Sequence, residues 1–501
     1  MVTLDKEILG YVVGETATTE LSFLSYNVPE VGEYVTIYYD GIEVLGMVEA
    51  VTQGCPVFED VLNVKDLEKL KKFEDDDSYY IMGKIKVLGD VKNMQIPRIP
   101  PRPGTEVYKA EERILKKIFS NGHIEIGSLI SRDIPVCLDV DKLCSRHLAI
   151  LAITGMGKSN TVSVLLEELN KLNATVLVFD MHREYADIKS ENTTIRKNII
   201  KPKINIYNMS YDYLMDLAGV DAQATVQRAI GRKAIKKIKE NSKEHDFNTP
   251  EEFIDRIIRE LEGYMEYDEY KGKVDSILTL IMRFEDMKIF KKKMIGINYN
   301  PIANIRENYI NILDISELDE FSIDTVISYF TKEILNDRKL ALWNTKKPKP
   351  IFLIFEEAHL IVPDNRTTKS KGPISKIARE GRKFGVGICL VSQRPKTLDQ
   401  ESLSQCNNFI ISKLIEPSDQ RHVQHASESL SEDLLKQLPG LNVGEAVIIG
   451  PSVKIPAIVK IKKFKGKYGG EDVKFGELWK NQEDEYESQS LESDDMYGGL
   501  D

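Results

Sequence analysis

The stretch from Arg146 to Leu169, RHLAILAITGMGKSNTVSVLLEEL, constrains this chain more than any other. It reads as a short apolar strand, a glycine-bearing turn and an amphipathic helix. Gly157, Lys158 and Ser159 match the end of the pattern G-x-x-x-x-G-K-[ST], with Ala152 where the first glycine usually stands. That first position only closes the turn from the strand, so a methyl group there is tolerable. The later residues wrap phosphates. Backbone N–H groups of a tight loop and a helix N-terminus converge on an anion, and Gly155 and Gly157 can supply unusual backbone angles. Lys158 would set an ammonium on the β- and γ-phosphates, and Ser159 would offer a hydroxyl to Mg²⁺. Thr154, Gly155, Met156, Gly157, Lys158, Ser159 and Asn160 are the expected cradle for ATP. A chance G-K-S at a helix start would lack the flanking strand and helix.

Binding is not hydrolysis, which also needs an acidic strand end and a group that positions water. PIFLIFEEAHL supplies this by ending an apolar run with Glu356 and Glu357. Glu356 takes the magnesium-side place usually held by Asp, its extra methylene still allowing contact through a metal-bound water. Glu357 would polarise the attacking water. The bland alternative is that the paired acids cap the next helix. GVGICLVSQRP ends with Ser392 and Gln393, and a glutamine there can sense the γ-phosphate or merely cap a strand. IAREGRKFG carries Arg379, Arg382 and Lys383. An arginine held across a subunit boundary would stabilise phosphoryl-transfer charge, whereas a solvated helix end would do nothing. VLVFDMHREY ends with Asp180, His182 and Glu184. Asp180 is placed near the nucleotide edge, although a cap on the following turn fits the spacing equally well. His422 and His425 form H-x-x-H without a third ligand, which does not make a metal site.

Around these motifs the chain changes character. Residues 8–100 hold β-branched runs between glycines, and Asp40-Gly41 between two such runs signals a hairpin. Several short strands close together predict a small β-barrel over 1–100. The proline-rich IPRIPPRPGTEV opens a connector assigned to 101–145. HLAILAIT, ATVLVFD, YINILDIS, PIFLIFEE, GVGICLVS and NNFIISKL are apolar on both faces, as in strands covered by helices on two sides. They divide an α/β core into 146–209 and 301–465. The intervening 210–300 reads as an inserted helical subdomain, because it is too long for an ordinary crossover. Thr249-Pro250-Glu251-Glu252 gives it a helix start with a cap, a first-turn proline and a capping-box glutamate.

At 501 residues several domains are expected. No apolar run approaches the length of a membrane span and no signal-peptide pattern is found, so the expectation is cytoplasmic with no membrane partner. Five cysteines stand without a C-x-x-C pair, which argues against disulfide frameworks and zinc sites. Taken alone, the net charge of −11 argues against nucleic acid. Yet the segment from Asn481 onward, part of a C-terminal extension over 466–501, holds eight acidic residues and no Lys or Arg; it is expected to be a disordered tail. The rest of the chain is close to balance.

The barrel, LAITGMGKSNT, VFDMHREY, FEEAHL, IAREGRKFGVG and VSQRPKTLDQ, in that order, make the chain similar to the HerA family, archaeal hexameric DNA translocases of the HerA–FtsK group. Met156 stands where the family more often has Ser, a change confined to a loop side chain. The resemblance implies a RecA-like P-loop ATPase core, an N-terminal barrel like that of rotary ATP synthases, and a homohexamer with double-stranded DNA through its centre. It also implies ATP and Mg²⁺ as cofactors, a NurA-type nuclease docking on the barrel side, and a role in DNA-end resection for recombinational repair. By motif, Lys158 and Ser159 carry over to phosphate and metal, Glu356 and Glu357 to metal and water, and Gln393 to sensing. Arg382 carries over as a finger reaching a neighbour's ATP, and Arg146 as a second arginine at that boundary. A nucleotide-gated scaffold, or an ATPase acting on protein, is the alternative from another class. DNA-stimulated ATP turnover separates the two.

One more segment bears on DNA. PDNRTTKSKGPISK carries Arg366, Lys369, Lys371 and Lys376 against a single Asp364. Gly372 and Pro373 argue against a helix through its middle. A mobile basic loop there could line the pore of a ring and grip phosphates, or it could be a solvated surface loop.

Overall fold

The computed structural model describes residues 7–58, 63–71, 79–427, 429–469 and 479; the acidic segment from Asn481 lies outside them. Strands β1 (Ile8–Val13), β2 (Glu20–Ser25), β3 (Tyr34–Tyr39), β4 (Ile42–Gly54), β5 (Tyr80–Asp90) and β6 (Glu106–Lys109) form a closed barrel in the order β1-β2-β5-β4-β3-β6. Asp40 and Gly41 join β3 to β4 with φ of 50° and 73°. Both are left-handed, as the two-residue hairpin turn requires.

The expected barrel limit at residue 100 is too early. β6 lies beyond the prolines and closes the barrel by pairing antiparallel with both β1 and β3. At four residues it is too short to show a period of two. The expected connector also contains β7 (Ile124–Leu129) and β8 (Pro135–Leu138), a hairpin that belongs to the core sheet. Their half-buried alternation with a register shift left only a weak sequence signal.

The core continues with β9 (Leu148–Leu151), β10 (Val176–Asp180), β11 (Lys197–Ile200), β12 (Ile310–Asp314), β13 (Ile351–Phe355), β14 (Val386–Ser392), β15 (Asn408–Ile411), β16 (Glu445–Ile449) and β17 (Ala457–Ile461). Among the described residues these and the β7–β8 hairpin make one eleven-stranded sheet, ordered β11-β12-β10-β13-β14-β9-β15-β16-β17-β7-β8. The strands from β11 across to β15 run parallel. β9, β10, β13, β14 and β15 are buried at every residue, which explains their continuous apolar runs. Parallel pairing puts every C-terminal strand end on one edge of the sheet. There Phe179 and Phe355 stack at 4.6 Å between β10 and β13 and fix the two acidic strand ends side by side.

Helix α1 (Lys158–Lys171) follows β9. The insertion contains α2 (Tyr211–Leu217), α3 (Thr225–Asn241), α4 (Pro250–Tyr264) and α5 (Val274–Phe290). Its base is clasped by parallel pairing of Ile204–Asn205 with Ile295–Gly296. Thr249 caps α4 by accepting from Glu252 N–H at 3.3 Å, and Pro250 opens the helix. The Glu252 carboxylate accepts from Asn248 N–H at 2.7 Å, one residue earlier than a capping box requires. Ile254, Ile257, Ile258 and Leu261 are buried. Then come α6 (Glu320–Thr345) and α7 (Lys371–Glu380). Among the described residues no helix is long and apolar enough to cross a membrane.

Helix α7 corrects the expectation of an irregular loop through Gly372 and Pro373. Both fall in its first turn, where backbone N–H groups have no intrahelical acceptor, so proline costs nothing there.

Candidate nucleotide site

The turn after β9 holds Gly155 at φ 79° and Gly157 at φ 94°, and Gly157 caps α1. Both positions disfavour a side chain on backbone grounds. A Cβ built on Gly155 meets nothing within 4 Å, so the space before the loop is open. Ala152 needs no left-handed backbone, and its N–H donates to the Ser392 carbonyl at 3.2 Å. The missing first glycine is therefore physically inconsequential.

Lys158 and Glu357 are ion-paired inside the site, each under a tenth exposed. Gln393 donates from Nε2 to the same Glu357 oxygen at 2.9 Å, and Thr154 donates its hydroxyl to Gln393 Oε1. His359 Nδ1 lies 3.3 Å from the other Glu357 oxygen and 3.3 Å from the Ser392 hydroxyl. Burial pushes the His359 pKa below its ordinary value, which favours the neutral imidazole. Glu357 itself sits at φ 41°, ψ 47°. A non-glycine residue held left-handed costs on the order of 1–3 kcal/mol and is typical of a functional strand end.

Glu356 is almost wholly buried. Its Oε1 accepts from the Tyr185 hydroxyl at 2.7 Å, and its Oε2 is buried with no partner. Burial first, then the negative charge of Glu184, raises its pKa well above the carboxylate range. Ser159 makes no side-chain hydrogen bond among the described residues. Asp180 accepts from the backbone N–H groups of Glu184 and Tyr185, each at 2.9 Å. Its carboxylate caps the turn and so positions those two residues. Asn160 is likewise committed, donating to the Lys462 carbonyl at 3.0 Å and accepting from Phe464 N–H at 2.8 Å. Met156 is buried beneath the loop.

Sequence reasoning missed Tyr185, His359 and His147. Tyr185 and His359 stand inside the quoted motifs; His359 is two residues from Glu357, whereas Tyr185 reaches Glu356 from a different strand end. His147 is detectable only in three dimensions: its Nε2 bonds the Ala378 carbonyl at 3.0 Å and its Nδ1 accepts from Ile388 N–H at 3.2 Å.

Arg146 and Arg382 lie at the opposite edge, just before β9 and β14, and are exposed. The seven residues of β14 span roughly 20 Å, so neither arginine can reach the cradle of its own chain. Arg379 pairs with Glu401 at 2.6 Å, whereas Arg382 makes no side-chain bond among the described residues. Arg382 and the buried Arg338 line a cavity of about 520 Å³ at this edge.

Most of the basic segment is engaged. Arg366 pairs with Glu320. Lys369 lies 4.1 Å from the Phe321 ring centre and 5.2 Å from that of Tyr213, with burial lowering its pKa. Lys371 pairs with Asp399 at 2.9 Å. Lys376 is exposed on α7.

A parallel sheet with a glycine cradle at one strand end and paired acids and a glutamine at its neighbours defines a RecA-like P-loop ATPase fold. Family models match along the chain: the HAS barrel domain over residues 9–93, the central domain of helicase HerA over 124–334 and the helicase HerA-like C-terminal domain over 340–465. The chain is 58% identical over 501 residues to a protein of Methanocaldococcus jannaschii named a probable helicase, covering 98% of this chain and 97% of that one. It is 39% identical over 494 residues to the DNA double-strand break repair helicase HerA of Saccharolobus solfataricus, covering 95% and 96%. Among solved structures, VirB4 of Thermoanaerobacter pseudethanolicus aligns with a TM-score of 0.49 at 14% identity, covering 69% of this chain and 98% of that one. The chain belongs to the HerA family.

Proposed function

We propose that this chain is an ATP-driven helicase and translocase on double-stranded DNA, working as a ring of six in repair of broken ends. The observation that carries the ATPase reading is the meeting of Lys158, Glu357 and Gln393 in one buried cluster. ATP entering the cradle would exchange phosphate oxygens for Glu357 as the partner of Lys158. Glu357 would then be free to accept a proton from water, with His359 and Gln393 holding its direction. Ser159 and Glu356 fit a divalent cation, since one offers a free hydroxyl and the other an orphaned buried oxygen. Mg²⁺ bound there would neutralise phosphate charge.

The arrangement of Arg146 and Arg382 supports a closed ring, because both are remote from their own site and available to a neighbour's. DNA as the substrate rests on the family, whose relatives carry that substrate in their names. The barrel is read as the docking side for a NurA-type nuclease. Its outer face exposes Tyr26, Val28 and Tyr38, each more than half accessible, an amphipathic surface suited to protein contact. The deciding measurement is ATP turnover with and without linear duplex DNA. Stimulation is expected; turnover indifferent to DNA would favour a scaffold or a protein substrate.

A further inference from the structure

The turn after β10 carries a cluster that the ATPase reading uses only at Glu356. One ligand atom from each of His182, Glu184 and Glu356 lies within 4.8 Å of the other two. The three come from different environments: His182 is exposed, Glu184 half-buried and Glu356 buried. Glu184 Oε2 and Glu356 Oε2 are both buried with no hydrogen-bond partner. Two neighbouring carboxyl groups, each with an unmet oxygen, are an expensive arrangement unless a proton or a metal cation joins them. The nearby side-chain cations do not join them. Lys158 is paired to Glu357, and Arg183 faces Asp314 at 3.8 Å. Asp180 holds the turn in the shape that brings Glu184 to Glu356, so the cluster is built rather than incidental.

We propose that His182, Glu184 and Glu356 form a second cation site, sharing Glu356 with the magnesium position at Ser159, that takes a divalent transition ion in the absence of nucleotide. One imidazole with two carboxylates suits Mn²⁺ or Zn²⁺, whereas Mg²⁺ takes oxygen donors and keeps its waters. The ion would neutralise the two acids and pin the His182–Tyr185 turn to the end of β13. The inference holds whether or not the chain moves DNA.

The test uses the full-length, nucleotide-free protein and Mn²⁺ as the probe. Loss of the free-ion electron paramagnetic resonance signal measures binding, and spin-echo modulation from ¹⁴N reports an imidazole ligand. The expected result is binding with nitrogen modulation in the wild type and in Ser159→Ala. His182→Ala should lose the modulation and bind at least about tenfold more weakly. Glu184→Gln, close in shape, should weaken binding comparably, and thermal unfolding of each variant checks its fold. Absence of Mn²⁺ binding, absence of nitrogen modulation, or binding that Ser159→Ala abolishes would overturn the proposal. Competition by Zn²⁺ but not by excess Mg²⁺ would support it; displacement by Mg²⁺ at equal concentration would count against it.

Discussion

The two edges of the central sheet are opposites. At the C-terminal strand ends side chains pair with one another, Lys158 with Glu357, Glu357 with Gln393, Gln393 with Thr154 and Tyr185 with Glu356, leaving one oxygen each of Glu184 and Glu356 open. At the N-terminal ends Arg146 and Arg382 point to solvent above the buried His147. On the proposed reading, the first edge lacks only a cation at the far side of the γ-phosphate. The second holds cations with no acid of their own to serve. A strand's length separates them, so one chain cannot join the halves, while a ring of identical chains can.

The largest effect tests whether the first edge is a catalytic unit. Lys158→Ala should abolish ATP turnover, because the phosphates lose their P-loop ammonium and Glu357 is left buried without its partner. Glu357→Gln should still bind ATP, measured by fluorescent-nucleotide titration, while hydrolysis falls roughly 10²–10⁴-fold, the range expected for losing a general base. Wild-type turnover in Glu357→Gln would remove Glu357 from that role. Next comes the second edge. Arg382→Ala should slow hydrolysis by about 10³-fold, the lower end for a finger supplied in trans, with ATP binding nearly intact. Mixed rings of Lys158→Ala and Arg382→Ala chains should regain activity, since some sites then carry both groups. Well-mixed rings that stay dead would break the complementarity of the two edges.

How legible each edge was in the sequence follows from how it is built. The C-terminal edge consists of strand ends, and a buried parallel strand announces itself as an apolar run that stops abruptly at a polar residue. Glu356, Glu357 and Gln393 were therefore readable as candidates beside Lys158, and the structure joins Lys158, Glu357 and Gln393 in one cluster while Glu356 turns to Tyr185. Asp180 was ambiguous because spacing cannot distinguish a cap from a catalytic acid; two backbone donors take it as a cap. The N-terminal edge is built from contacts distant in sequence. His147 bonds to residues more than 200 positions away, which no local pattern reveals. β6, β7 and β8 were lost among prolines and turns because short half-buried strands lack a continuous apolar signature. The basic segment misled for a related reason: its positive charge was legible, but the partners that occupy it, Glu320, Phe321, Tyr213 and Asp399, lie on other elements.

Each edge holds a histidine whose pKa burial lowers, His359 at the first and, more deeply buried, His147 at the second. Burial lowers its pKa from 6.5 to about 4. The folded state thus favours the neutral ring, and the unfolded chain binds the proton more readily between those values. The resulting stability is fully present above about pH 6.5 and is lost as the pH falls toward 4. Between pH 7 and pH 5 this group should account for about 2 kcal/mol. Urea unfolding of the wild type and of His147→Gln at both values measures it. The variant should be less stable at pH 7 and lose less on acidification. Equal losses in the two proteins would show that His147 does not titrate in this window.

The smallest effect concerns α7, the helix that runs from the first edge to the second. If it faces DNA, the cation able to act is Lys376, which is exposed, rather than Lys369 or Lys371, which are engaged with rings and an acid. Lys369 bridges Phe321 of α6 and Tyr213 of α2, so Lys369→Ala should lower thermal stability and leave the salt dependence of DNA binding nearly unchanged. Lys376→Ala should do the reverse. Each phosphate neutralised contributes about 0.9 to the slope of log affinity against log salt, and an exposed lysine with partial contact contributes less than that. The expected outcome is a slope shallower by up to about one unit per contacting chain, with DNA-free ATP turnover untouched. A changed slope in Lys369→Ala with none in Lys376→Ala would mean that the segment rearranges on DNA and frees the buried lysine. An unchanged slope in both would take α7 off the DNA path, leaving it as the link that joins the acidic strand end to Arg382.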